Sequence, residues 1–158
     1  MKMKIATASL LVLGLALSAC NRDGKNSTTA SIDTGGIKAT VEITDPWCRP
    51  TPNGAQTGAC YLTVKSSTDN TMTGVATPLA ANGMVHDMTM ANGMMSMSDM
   101  TGGLPLKAGE KTELKPGGKH IMLTGLTGPL VEGAAVPLTL TFSNTPAMTV
   151  QAPVRQPK

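Results

Sequence analysis

The chain has 158 residues, a formal net charge of +3 and only three aromatic side chains, Trp47, Tyr61 and Phe142. So small a charge gives no basis for binding a polyanion, and so few aromatics provide no stacking platform for single strands, which sets nucleic acid aside as a partner. The length allows one compact domain and one hydrophobic core.

In chain order, Met1-Lys2-Met3-Lys4 is basic and is followed by an apolar run from Ile5 to Leu17. A short basic start before such a run reads as an export signal. The run is shorter than the roughly 20 apolar residues a transmembrane helix needs, and nothing later approaches that length. The signal ends in Leu17-Ser18-Ala19-Cys20, which resembles the lipobox of bacterial lipoproteins. That resemblance implies a signal peptide over 1–19, cleavage before Cys20 and acylation of Cys20 as the lipid anchor. The expected location is therefore the periplasm or cell envelope, with membrane contact through the anchor alone. Loss of Lys2 and Lys4 would lower the net charge to +1.

Residues 20–36 form the acylated cysteine and a small, polar, aperiodic stretch expected to act as a flexible tether. Residues 37–152 carry the domain. Ile37-Lys-Ala39-Thr-Val41-Glu-Ile43, Tyr61-Leu-Thr63-Val-Lys65, Val136-Pro-Leu138-Thr-Leu140-Thr-Phe142 and Met148-Thr-Val150-Gln all alternate with a period of two. No stretch of about 12 residues keeps a helical period free of Gly or Pro. Short strands separated by Gly, Pro and Asn predict an all-β sandwich or barrel. Residues 153–158 read as a short disordered tail.

The chemistry is concentrated in Met84-Val-His86-Asp-Met88-Thr-Met90-Ala-Asn-Gly-Met-Met95-Ser-Met97-Ser-Asp-Met100 and in His120-Ile-Met122, which hold both histidines of the chain. Imidazole nitrogen with thioether sulfur makes a soft ligand set that favours Cu(I) over hard cations. Asn92-Gly93 is a strong two-residue hairpin signal, because a type I′ turn needs positive φ at both central positions. Such a turn sets Met90 opposite Met95 and Met88 opposite Met97, so that His86, Met88, Met90, Met95 and Met97 share one face. His86 and Met97 become diagonal neighbours able to reach one ion. His120 and Met122, two residues apart, also project to one side of their strand. Asp87 follows His86 directly and so points to the opposite face, which reads as a solvent-facing charge. The competing reading, methionine as core filler, would require burying five polarizable side chains together with a histidine that has no evident partner.

His86, ten intervening residues, Met97 and a later His120-x-Met122 after Leu114-Lys-Pro116-Gly-Gly118 resemble the periplasmic copper chaperone family PCu(A)C. Trp47-Cys-Arg49-Pro50, Tyr61-Leu62 and Gly125-Leu126 are similar to further positions of that family, and the likeness spans about Trp47 to Phe142. The resemblance implies a cupredoxin-like β-barrel with one Cu(I) held by His86, Met97, His120 and Met122. Beside that set, Met88, Met90, Met95 and Met100 are read from the run itself as candidate auxiliary metal ligands, with packing as the alternative. The resemblance also implies delivery of copper to an acceptor in the envelope, with the copper centre of cytochrome c oxidase or its assembly factors as the recipient.

The sequence departs from the family in two places. Twenty-two residues separate Met97 from His120, one more than usual, which leaves open whether Met95, Met97 or Met100 is the ligand. Cys48 and Cys60 are additional, and in an oxidising compartment they fit a disulfide, with a redox-active or copper-binding dithiol as the alternative.

No nucleophile elbow, phosphate loop or paired catalytic carboxylate stands out, so no enzyme is expected. A copper-sequestering or copper-resistance lipoprotein shares the same ligand set and remains an alternative to the chaperone. An electron-transfer cupredoxin fits less well, because it needs a cysteine thiolate beside two histidines.

Overall fold

The computed structural model describes residues 27–34 and 37–157. The export signal and Cys20 lie outside them. The described chain is all β, as the alternating segments predict. It opens with β1 (Ser27–Thr34), β2 (Ile37–Cys48), β3 (Thr57–Ser66) and β4 (Asn70–Ala76). The hairpin β5 (Ala80–Ala91) and β6 (Met94–Asp99) follows, then β7 (Leu104–Leu106), β8 (Lys111–Leu114), β9 (His120–Leu126), β10 (Ala135–Phe142) and β11 (Met148–Pro153).

The strands form one sheet in the order β1-β2-β3-β9-β5-β4-β10-β11, with β6 on β5, β7 on β4 and β8 on β3. The sheet curls until its ends meet. Val154 bridges Cys48 of β2, and the Arg155 amide donates to the Cys48 carbonyl at 3.0 Å. Inside lie Val41, Ile43, Leu62, Val64, Ile121, Leu123, Leu138, Leu140 and Val150, all at most 2% exposed. With one phenylalanine in the chain, this aliphatic core is completed by Met72 and Met148, which are the true filler methionines.

Two junctions position the site. Gly83 faces Val75 across β4 and β5, and a Cβ there would meet the Val75 carbonyl oxygen at 2.8 Å, so this close crossing requires glycine. Cys48 and Cys60 are directly opposite on β2 and β3 and form a disulfide, with Cα atoms 4.0 Å apart. Cys60 in turn faces Ile121, the residue after His120, so the bridge braces the strand carrying the second histidine.

Paired strands and buried contacts extend beyond residues 37–152 on both sides. Part of the 20–36 tether is β1, which pairs with β2 along all eight of its residues. Its Ser and Thr content looks like a linker in isolation, yet those residues suit a strand once a neighbouring edge supplies hydrogen bonds. The 153–158 tail is also ordered at its start. Val154 is 2% exposed, and the Arg155 guanidinium grips both Asp45 carboxylate oxygens at 3.1 Å while lying 4.5 Å over the Trp47 ring. A charged, Pro-bearing end carries no sequence signal for contacts made across the whole chain.

Candidate metal centre

β5 changes partners at His86. From Ala80 to His86 it pairs with β9, and from His86 to Ala91 it pairs with β6. His86 is thus flanked by His120 on one side and Asp99 on the other. Directly opposed residues of an antiparallel pair share a face, and the two imidazole centroids are 5.7 Å apart. Their chain neighbours Val85 and Ile121 point into the core, which puts both histidines on the outer face of the sheet. Both are nevertheless buried, at 8% and 7% exposure. Met84 and Met122 form the next pair on that face.

The hairpin has the expected register. Asn92 and Gly93 have φ of 53° and 77°, the positive pair of a type I′ turn, and Met90 faces Met95 while Met88 faces Met97. The Met97 sulfur reaches diagonally to within 2.9 Å of His86 Nδ1. A tetrahedral ion with bonds of about 2.0 Å to nitrogen and 2.3 Å to sulfur holds those atoms about 3.5 Å apart. A shift of Met97 by about half an ångström therefore opens the space for one.

Of the three methionines the spacing left open, Met97 alone has its sulfur against His86. Met95 lies nearer the hairpin tip. Met100 donates its amide to the Val85 carbonyl at 2.9 Å and packs partly buried against the core.

Hydrogen bonding sets the imidazole orientations. His120 Nδ1 lies 3.0 Å from the Gly118 carbonyl. A carbonyl can only accept, so Nδ1 carries the proton and Nε2 presents its lone pair. His86 Nε2 is 3.0 Å from Asp99 Oδ1, yet this buried nitrogen has no formed hydrogen bond. Asp87 does not touch His86. It pairs with Lys119 Nζ at 3.1 Å and is therefore less free than the sequence suggested.

Two residues of the site escaped the sequence reading. Asp99 comes opposite His86 once the hairpin register is extended two pairs past Met97. Met84 precedes His86 by two and so shares its face.

Among the described residues, no three of His, Cys, Asp and Glu converge on one point. The adjoining cleft, lined by Gly83, Met84, Asp99 and Met100 among others, has a volume of about 180 Å³. None of His86, Met97, His120 and Met122 lines it, so it borders the histidine pair without containing it.

The barrel has the fold of PCuAC domains. Superposition on the copper-bound PCuAC domain from PmoF2 gives a TM-score of 0.61 at 21% identity, covering 80% of this chain and 98% of that one. The Cu(I) form of DR1885 from Deinococcus radiodurans is 31% identical, with a TM-score of 0.58 over 70% of this chain and 74% of that one. Within this class the chain belongs to the LpqE-like putative lipoprotein family, whose model matches residues 41–154. A putative lipoprotein of Leifsonia xyli subsp. xyli, Lxx21020, is 30% identical over 156 residues, 97% of this chain and 89% of its own length.

Proposed function

We propose that this protein is a non-catalytic Cu(I) carrier of the cell envelope. In this reading residues 1–19 direct export, acylated Cys20 anchors the chain, and His86, Met97, His120 and Met122 hold one tightly bound Cu(I). The observation that carries it is the cross-strand His86–His120 pair with the Met97 sulfur already against His86. The copper-bound PmoF2 domain and CuI-DR1885, which share the fold, support the choice of metal. The lipoprotein names of the family and of the Leifsonia relative support the anchor.

The arrangement suits transport. Two imidazoles and two thioethers are neutral and leave the charge of Cu(I) uncompensated, and thioethers neither form disulfides nor lose a proton in an oxidising envelope. The histidines are buried, whereas Met97 is 49% exposed. An acceptor's ligand can therefore reach the ion from the sulfur side and displace Met97 first, before the imidazoles release it. The proposal extends to delivery to an envelope acceptor, which such an exchange path would serve; the copper centre of cytochrome c oxidase as recipient is carried by the resemblance to the PCu(A)C family alone. A blue-copper role is disfavoured because both domain cysteines are joined to each other.

Competition with a chromophoric Cu(I) chelator tests the reading. Wild-type protein should withdraw copper that the His120→Ala/Met122→Ala protein cannot. Equal retention by the two proteins would remove these ligands from the site.

A further inference from the structure

Beyond His86, β5 loses β9 as a neighbour and continues as a two-stranded arm with β6. One face of this arm carries Met88, Met90, Met95 and Met97. Met90 and Met95 are 69% and 58% exposed, far from any core. Simple hydrophobicity does not account for this choice. A water-facing ribbon is normally built with Thr and guarded at its edge by charges such as Lys, and an apolar strand with Val or Ile, which fit the pleat better than Met. What the four share is a sulfur donor.

We propose that the arm is a second, all-thioether Cu(I) site formed by Met88, Met90 and Met95. The proposal extends the reading above to a new site with no ligand in common. The register supplies the geometry. The pair closing a two-residue turn, Ala91–Met94, is hydrogen-bonded, so Met90–Met95 and Met88–Met97 fall at the alternate positions, where Cα atoms are about 4.5 Å apart and side chains are closest. The Met100 amide bonded to the Val85 carbonyl fits the same alternation further down.

Two facing thioethers at that separation can bracket an ion with metal–sulfur bonds of about 2.3 Å, and Met88 reaches it along the diagonal. No acidic side chain occurs between Met88 and Met97, so a hard cation finds no carboxylate oxygen there. The ladder also has a direction. From Met90–Met95 at the tip, one step leads to Met88–Met97, and the Met97 sulfur touches His86. The arm thus receives Cu(I) at an exposed, weaker site one ligand exchange away from the buried histidines.

The test is the stoichiometry of Cu(I) uptake under ascorbate, with Cys20→Ser in every protein to exclude a free thiol. The wild-type background should bind two equivalents. Met90→Leu/Met95→Leu, which keeps the apolar bulk and removes the sulfur, should bind one. His86→Ala/His120→Ala should also bind one, and the combination none. Since these are the chain's only histidines, copper-edge X-ray absorption of the loaded histidine-free protein should show sulfur neighbours alone.

Unchanged uptake in Met90→Leu/Met95→Leu, or nitrogen neighbours in the histidine-free protein, would overturn the second site. One equivalent in wild type that survives the leucine pair and is lost with the histidines would overturn it while leaving the His/Met site intact. One equivalent that survives loss of the histidines and is lost with the leucine pair would instead sink the His/Met reading and keep the arm.

Discussion

Replacing Met97 by leucine separates ligand chemistry from packing. The side chain is 49% exposed on the two-stranded arm, so leucine changes little apolar burial, and folding stability should move by no more than about 0.5 kcal/mol. The sulfur, however, is the atom 2.9 Å from His86 Nδ1, and leucine has nothing to replace it. Loss of a residue that merely orients a ligand reduces metal affinity about 10- to 100-fold. Loss of a ligand should weaken the high-affinity Cu(I) at least about 100-fold, or about 2.7 kcal/mol. Met95→Leu and Met100→Leu should leave that affinity within about threefold, since Met95 lies a pair nearer the tip and Met100 packs on the core. The assay is competition against a Cu(I) chelator with thermal melts alongside. An affinity for Met97→Leu within threefold of wild type, with Met95→Leu or Met100→Leu showing the large loss, would refute the assignment drawn from the hairpin register.

Asp99→Asn should weaken Cu(I) binding by about tenfold or more with an unchanged melt, because the carboxylate beside His86 Nε2 orients the ring rather than the fold. Affinity equal to wild type would make that contact incidental. Replacing Cys48 and Cys60 together by alanine should destabilise the domain by about 3 kcal/mol, the chain-entropy value for so short a loop, seen as a lower denaturant midpoint. An unmoved midpoint would mean that the sheet alone enforces the register of β2 and β3.

The strand segments were legible because a period of two needs only the local chain, as in Tyr61 to Lys65 and Val136 to Phe142. The hairpin register was legible for a similar reason. Asn92-Gly93 dictates a two-residue turn, and counting outward pairs Met88 with Met97 without any distant contact. Cysteines twelve apart on neighbouring strands were also readable as a pair.

The sequence by itself therefore determined the fold class, the soft character of the candidate ligands and the diagonal of His86 with Met97. Tertiary structure decided what depended on strands distant in sequence. It set His120 directly opposite His86, paired Met84 with Met122, and turned Met100 inward. It also drew Ser27–Thr34 and Arg155 into the fold. The reason is that side-chain alternation specifies a face but not a neighbour. Which face meets which is fixed only when the sheet closes and β5 exchanges β9 for β6 at His86.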